Sequence, residues 1–175
     1  EERRIYEEAQ KKEAEKNPKN NNLASDIDYD ESDLSTQKIT KPRSEIINSS
    51  KRIFIKSDKL SGSINLQGAR FDDLPLNNYK IEATKPEKIK LLNPSKTPEN
   101  YFAEFGLIAQ ENFNLPNKNT IWKSNSNYIT PEKPVILTYN NDEGIIIVRT
   151  IKLDNHYMFE VTDKIYNNSG RSLTF

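Results

Sequence analysis

Apolar and polar residues alternate with a period of two in several windows after Arg52, and this pattern predicts β-strands. The windows are residues 53–55, 63–67, 135–139, 145–153 and 158–166. Turn-forming residues lie between the last three windows, at 140–144 (NNDEG) and 154–157 (DNHY). Strands at this spacing are typical of an antiparallel all-β sandwich, and no long helical period is found after residue 50.

The first 50 residues have a different pattern, because they lack Phe and Trp and contain few aliphatic side chains. Residues 1–16 (EERRIYEEAQKKEAEK) place opposite charges four positions apart, as in Arg3 and Glu7, which favours a solvated helix. Residues 17–45 are polar, acidic in the middle and without a period, which is typical of disorder. We therefore predict a charged helical or disordered linker over residues 1–50 and a β-sandwich domain over 51–175.

An acidic tract, residues 26–33 (DIDYDESD), lies within this predicted linker. Its carboxylates resemble those of a calcium loop, but the glycine and the final glutamate of that motif are missing. The tract is better interpreted as part of an acidic linker.

Composition excludes several classes of function. The chain has 175 residues, with 26 Lys+Arg, 26 Asp+Glu, one His and no Cys. Zero net charge provides no basic surface for nucleic acid, and the absence of Cys removes thiolate metal sites and cysteine nucleophiles. No apolar stretch is long enough to span a bilayer. We therefore expect no cofactor, no metal and no enzymatic activity.

The most unusual cluster of side chains is in residues 68–74 (GARFDDL). In an extended strand, Arg70 and Asp72 would share one face, while Asp73 would point to the other. A carboxylate pair is the equipment of glycoside hydrolases, but neighbouring residues on opposite faces point apart. We therefore expect an Arg70–Asp72 ion pair at a strand-to-loop turn, with Asp73 accepting backbone N–H groups.

Two further residues have alternative interpretations. His156 falls in a predicted turn, where a solvated surface position is favoured over a catalytic role. Trp122 follows Ile121 in an apparent short strand, and a core position is favoured over a ligand-binding face. Residues 101–106 (YFAEFG) read as a strand leading to a glycine turn, and residues 172–175 as the start of another strand.

A series of short motifs runs in order through residues 51–175. The motifs are SGSI (61–64), GARFDDLPL (68–76), Tyr79, LLNP (91–94), YFAEFG (101–106), LP (115–116), TIW (120–122), TPEKPV (130–135), Arg149 and DNHYMF (154–159). Together they resemble the periplasmic domain of the YidC membrane protein insertases, and residues 51–175 match its first half. One departure is Leu107, where members of this family often carry Trp after the glycine. The structural motif that we single out consists of Gly68, Arg70, Asp72, Asp73, Tyr79 and Trp122.

The resemblance implies a β-supersandwich related to mutarotase-like folds, at the periplasmic face of the bacterial inner membrane. It also implies Sec translocase accessory subunits and nascent membrane proteins as partners. By the same resemblance, we expect an apolar spanning segment upstream of Glu1, and further strands and membrane spans after Phe175.

Three functions are consistent with the sequence. The first is a non-catalytic module of an insertase that docks partners or substrate segments along sheet edges and in a cleft. The second is a carbohydrate-binding or sugar-processing sandwich, which needs exposed aromatic side chains and an acid–base pair. The third is a structural spacer.

Overall fold

The computed structural model describes residues 41–109 and 113–174. The predicted helix at 1–16, the acidic tract at 26–33 and the greater part of the predicted linker lie outside the described residues. None of the helices in the described ranges is long and apolar enough to cross a bilayer.

The described residues form one short helix and nine strands. The helix is α1 (Arg43–Asn48), and the strands are β1 (Arg52–Ile55), β2 (Ser63–Asn65), β3 (Arg70–Lys80), β4 (Lys88–Leu92), β5 (Lys123–Ser124), β6 (Tyr128–Ile129), β7 (Val135–Asn140), β8 (Ile145–Leu153) and β9 (Phe159–Asn167). All five predicted windows overlap strands, and the bounds of β8 are those that the alternation predicts.

The strands make two sheets, in the order β4-β3-β2-β1-β6 and β5-β7-β8-β9. In the second sheet, β7, β8 and β9 pair antiparallel in chain order. In the first sheet, β1 and β6 pair in parallel, with Phe54 opposite Tyr128 and Ile55 opposite Ile129. The first sheet is therefore mixed rather than purely antiparallel.

The two sheets share one apolar core. Ile53 and Ile64 of the first sheet belong to the same buried cluster as Leu137 and Ile147 of the second. Phe71 of β3 contacts Phe159 of β9 edge to face, with ring centroids 5.1 Å apart. Aromatic and aliphatic side chains from both inner faces thus close a β-sandwich, as the alternation predicts.

Two predicted strands are not formed. Residues 101–106 make isolated bridges instead, from Tyr101 to Asn93 and from Ala103 to Phe71. One partner lies directly after β4 and the other lies on β3, so the segment does not run along a single neighbouring strand. Residues 171–174 contain no strand, and the Asn167 side chain donates a hydrogen bond to the Arg171 carbonyl.

The β7–β8 turn depends on Gly144. Its φ is +95°, and a Cβ at this position would lie 2.7 Å from the backbone nitrogen of Ser169. We expect Gly144→Ala to lower the free energy of unfolding by about 1–3 kcal/mol, measured by urea denaturation, because this backbone conformation is strained for a residue with a Cβ. Gly106→Ala is the control, since a Cβ there would have no neighbour within 4 Å. Equal losses in the two variants would contradict the explanation.

Candidate functional site

A buried polar cluster lies on the first sheet, formed by Arg52 of β1, Ser63 of β2 and the two aspartates of β3. Its geometry comes from a β-bulge. Ser63 pairs with Asp73, whereas Ile64 pairs with Phe71, so that Asp72 is an extra residue on β3. The bulge interrupts the alternation, and both Asp72 and Asp73 are buried as a result.

Asp72 forms an ion pair with Arg52, and the two side chains are only 3% and 2% exposed. Arg52 also donates from Nε to the Ser63 hydroxyl at 2.7 Å. Burial raises the pKa of the Asp72 carboxyl, and the neighbouring Arg52 opposes that rise. Asp72 is thus engaged by a structural cation inside the sheet.

Asp73 has two partners. It accepts a hydrogen bond from the Ser63 hydroxyl at 2.6 Å and forms an ion pair with Arg43 of α1. Both of these partners are side chains, whereas the sequence suggested that Asp73 accepts hydrogen bonds from backbone N–H groups. These contacts attach α1 to the sheet.

Arg70 does not form the ion pair that the sequence suggested. It pairs with Glu104 and donates to the Ser95 hydroxyl at 3.1 Å, while Asp72 takes Arg52 as its partner. The bulge explains the difference, because Asp72 no longer follows the regular pleat. Gly68 lies just before this strand with a φ of +70°, and a Cβ on it would come within 2.9 Å of Glu104.

Trp122 lies in the core, 3% exposed, and its ring contacts a buried arginine. The Arg149 guanidinium lies 4.9 Å from the Trp122 ring centroid and makes two hydrogen bonds to Asp163, at 2.8 and 2.7 Å. Sequence reasoning missed Arg149 as a core residue. Its burial could have been predicted from its position, because Arg149 lies on the same face of the strand as the buried Ile147 and Ile151.

The remaining candidates are at the surface. Tyr79 is half exposed, with its ring 6.2 Å from that of Tyr157. His156 is exposed in the β8–β9 turn. In the same turn, Asp154 accepts hydrogen bonds from the backbone N–H groups of Met158 and His156, which hold the pKa of its carboxyl low. Within residues 41–109 and 113–174, no group of three or more His, Cys, Asp or Glu could hold a metal ion.

A cleft of about 460 Å³ opens beside α1. Three of its lining residues are cationic and one is anionic. The lining residues are Lys41, Pro42, Arg43, Lys90, Asn93, Thr97, Pro98 and Glu99. Residues at the start of the described chain and Lys90 of strand β4 thus line the same cleft.

Strand β4 is the last strand of the first sheet, so one of its sides has no strand partner among the described residues. Two aliphatic side chains on it are exposed, Ile89 at 39% and Leu91 at 50%. Lys88 and Lys90 are exposed as well. An exposed sheet edge with apolar side chains is a surface on which an extended segment can pair.

Comparison with known proteins agrees with this architecture. A sequence model described as the YidC periplasmic domain matches residues 52–175. Membrane protein insertases YidC of Rickettsia canadensis and Beijerinckia indica are similar to the chain, with 42% identity over 141 residues and 41% over 135. These matches cover 77% and 75% of the chain, but only 25% and 22% of the two relatives.

A third relative is the insertase YidC of Rickettsia rickettsii strain Iowa, 44% identical over 124 residues, or 70% of the chain and 22% of that protein. The chain thus spans about a quarter or less of the length of these relatives. The family match, the relatives and the two-sheet sandwich all support the same assignment. The chain belongs to the family of YidC periplasmic domains, which lie at the periplasmic face of the inner membrane in membrane protein insertases.

Proposed function

We propose that this domain is a non-catalytic docking module of a membrane protein insertase. It would assist the insertion and folding of membrane proteins by holding extended segments of its partners. Its proposed extent is residues 51–175, with residues 1–50 as the linker. The partners that the family resemblance implies are nascent membrane proteins and Sec translocase accessory subunits.

The observation that carries the proposal is the exposed edge of β4. Backbone groups on that side of the strand have no strand partner in the part of the chain that the structure describes, and Ile89 and Leu91 offer apolar contacts beside them. Main-chain hydrogen bonds would provide affinity with little dependence on sequence, while alternate side chains would provide selectivity. A module that serves many membrane proteins benefits from this combination.

The polar residues of the domain support docking over sugar chemistry. Asp72 and Asp73 are engaged by arginines within the sheet, and Trp122 is buried in the core. A glycosidase needs two carboxyl groups facing a substrate, and a lectin needs exposed aromatic faces. The aspartates and the tryptophan that the sequence offered for these roles instead stabilise the fold.

The proposal predicts that nascent membrane proteins contact β4. We would place a photo-crosslinking amino acid at Ile89 in the protein as its gene encodes it, and present ribosome-bound nascent chains of an inner-membrane protein. We expect crosslinks to the nascent chain, or to a Sec accessory subunit, at several-fold higher yield than from Ile136. Ile136 is a matched control, since it is also a strand isoleucine and is 38% exposed against 39% for Ile89. Equal yields from both positions would refute docking at β4.

A further inference from the structure

Strand β4 carries positive charge that no carboxylate neutralises. Lys88 and Lys90 are both exposed, and they lie on the same face of the strand because side chains alternate with a period of two. The Lys88 ammonium donates to the neutral side chain of Asn77 at 2.7 Å. Lys90 has no ion-pair partner among residues 41–109 and 113–174. Both cations are therefore open to an anionic partner.

Strand β3 adds a third cation to this face. Lys80 is exposed and lies directly opposite Lys88 in the β3–β4 register. Like charges directly opposite each other destabilise a strand pair. A nearby carboxylate, Glu82, is already engaged by Lys85 at 2.7 Å. An anion placed on this lysine face, formed by Lys80, Lys88 and Lys90, would relieve the repulsion.

The same charges disfavour a second copy of this chain as the occupant of the edge. If two β4 strands paired edge to edge, a lysine would lie opposite another lysine in alternate registers, and opposite an aliphatic side chain in the others. Lysines on edge strands are a common protection against such self-pairing. The edge therefore fits a different chain, which carries carboxylates where a second copy would carry ammonium groups.

The spacing of the lysines specifies where those carboxylates must lie. An extended segment paired with β4 places every second side chain on the lysine face. Acidic residues at alternate positions would lie opposite Lys88 and Lys90, and cross-strand pairs of opposite charge stabilise strand pairing. Apolar residues between them would lie beside Ile89 and Leu91, which are 39% and 50% exposed.

Membrane proteins supply segments with a suitable charge. The excess of Lys and Arg in these proteins stays in the cytoplasmic loops, so the segments that cross the membrane are depleted of cations. Their carboxylates are therefore less often balanced by positive charge. A positively charged edge at the periplasmic face attracts these segments and repels the basic ones.

We propose that the edge of β4 selects extended segments with Asp or Glu at alternate positions and apolar residues between them. Lys88 and Lys90 are the residues that determine this selectivity. That the selected segments belong to membrane proteins rests on the proposed function, whereas the preference of the edge for such segments does not.

Crosslinking to synthetic peptides tests the preference. We would place a photo-crosslinking amino acid at Ile89, in the protein as its gene encodes it, and add short biotinylated peptides. A peptide of alternating Asp and Val is expected to crosslink at least about fivefold more than one of alternating Lys and Val, the factor expected from two exposed ion pairs. A peptide of the same composition in the order Asp-Asp-Val-Val should crosslink about twofold less than the alternating one, because only half of its carboxylates face the lysines.

Charge reversal assigns the preference to two residues. Lys88→Glu with Lys90→Glu should reverse the order of the Asp–Val and Lys–Val peptides. The matched control is Lys51→Glu with Lys123→Glu, which changes the net charge equally at exposed lysines outside β3 and β4 and should leave the order unchanged. Equal yields from the two peptides, an order that survives reversal at Lys88 and Lys90, or an order that the control reverses as well would overturn the proposal.

This proposal and the docking function fail separately. Nascent-chain crosslinks from Ile89 without a preference between the peptides would keep docking and remove the selectivity for acidic segments. A peptide preference without nascent-chain crosslinks would keep the selectivity of the edge and remove the docking function. If both hold, replacing alternate aspartates with lysines in the exported segment of a nascent chain should lower its crosslinking yield from Ile89.

Discussion

Replacing Arg52 with alanine is expected to lower the free energy of unfolding by about 3–5 kcal/mol, the usual cost of removing one partner from a buried ion pair. Arg52 and Asp72 are almost completely shielded from solvent. Without the guanidinium, the Asp72 carboxylate stays buried next to the second carboxylate, Asp73. The Ser63 hydroxyl also loses its donor from Arg52.

The loss should depend on pH in a defined direction. Burial raises the pKa of Asp72 above its usual 3.8. A carboxyl group whose pKa is higher in the folded than in the unfolded state stabilises the fold fully at pH values below its unfolded-state pKa. That stabilisation is lost as the pH rises through the folded-state pKa. Arg52 opposes the rise, so its removal raises the pKa of Asp72 further. The stability of Arg52→Ala should therefore fall more than that of the wild type as the pH rises from about 4 toward neutrality.

Urea denaturation across this pH range measures both effects. The control is Lys85→Ala, which breaks the exposed ion pair to Glu82 and should cost no more than about 1 kcal/mol at any pH. A loss in Arg52→Ala as small as that of the control, with an unchanged pH slope, would show that the buried pair does not stabilise the sheet.

Arg149→Ala is expected to cost a similar amount, about 3–5 kcal/mol, in the second sheet. The Arg149 side chain is 1% exposed and its partner Asp163 is 18% exposed. Arg149 also donates to the Phe105 carbonyl at 3.0 Å, which connects the segment after the 101–103 bridges to β8. The Arg149→Ala substitution removes the ion pair, the hydrogen bond to the Phe105 carbonyl and the stacking on Trp122 together.

The same two strands supply a matched control for Arg149. Lys152 of β8 and Glu160 of β9 form an exposed ion pair at 2.9 Å, so Lys152→Ala should cost at most about 1 kcal/mol. Thermal denaturation followed by circular dichroism compares the two variants. The double variant Arg149→Met/Asp163→Leu should recover much of the loss, because an apolar pair leaves no charge without a partner. No difference between Arg149→Ala and Lys152→Ala would contradict the role assigned to Arg149.

Period-two alternation predicted the strands of the second sheet well. In β8, Ile145, Ile147 and Ile151 are buried as their parity requires, and β7 and β9 lie on either side of it. Local pattern was less informative for residues 101–106, where alternation is present but one bridge partner lies just after β4 and the other on β3. Alternation specifies which faces are apolar, and it carries no information about which strand is the neighbour.

The polar cluster shows the same limit. Its two aspartates were singled out from the sequence, but their partners Arg52 and Ser63 were not. A single bulged residue, Asp72, changed the register, so that Arg70 pairs with Glu104 and Asp72 with Arg52. A bulge is a property of two paired strands and cannot be read from either strand alone.

By itself, the sequence determined that this is an all-β domain with an apolar inner face, and its ordered motifs pointed to the insertase family. Side-chain periodicity is local, so a strand and its buried face follow from a few consecutive residues. Only the tertiary structure decided which charges meet, that β1 pairs in parallel with β6, and that one side of β4 has no strand partner within residues 41–109 and 113–174. These features depend on contacts between residues far apart in the chain, whose relative positions are set when both sheets close on one core.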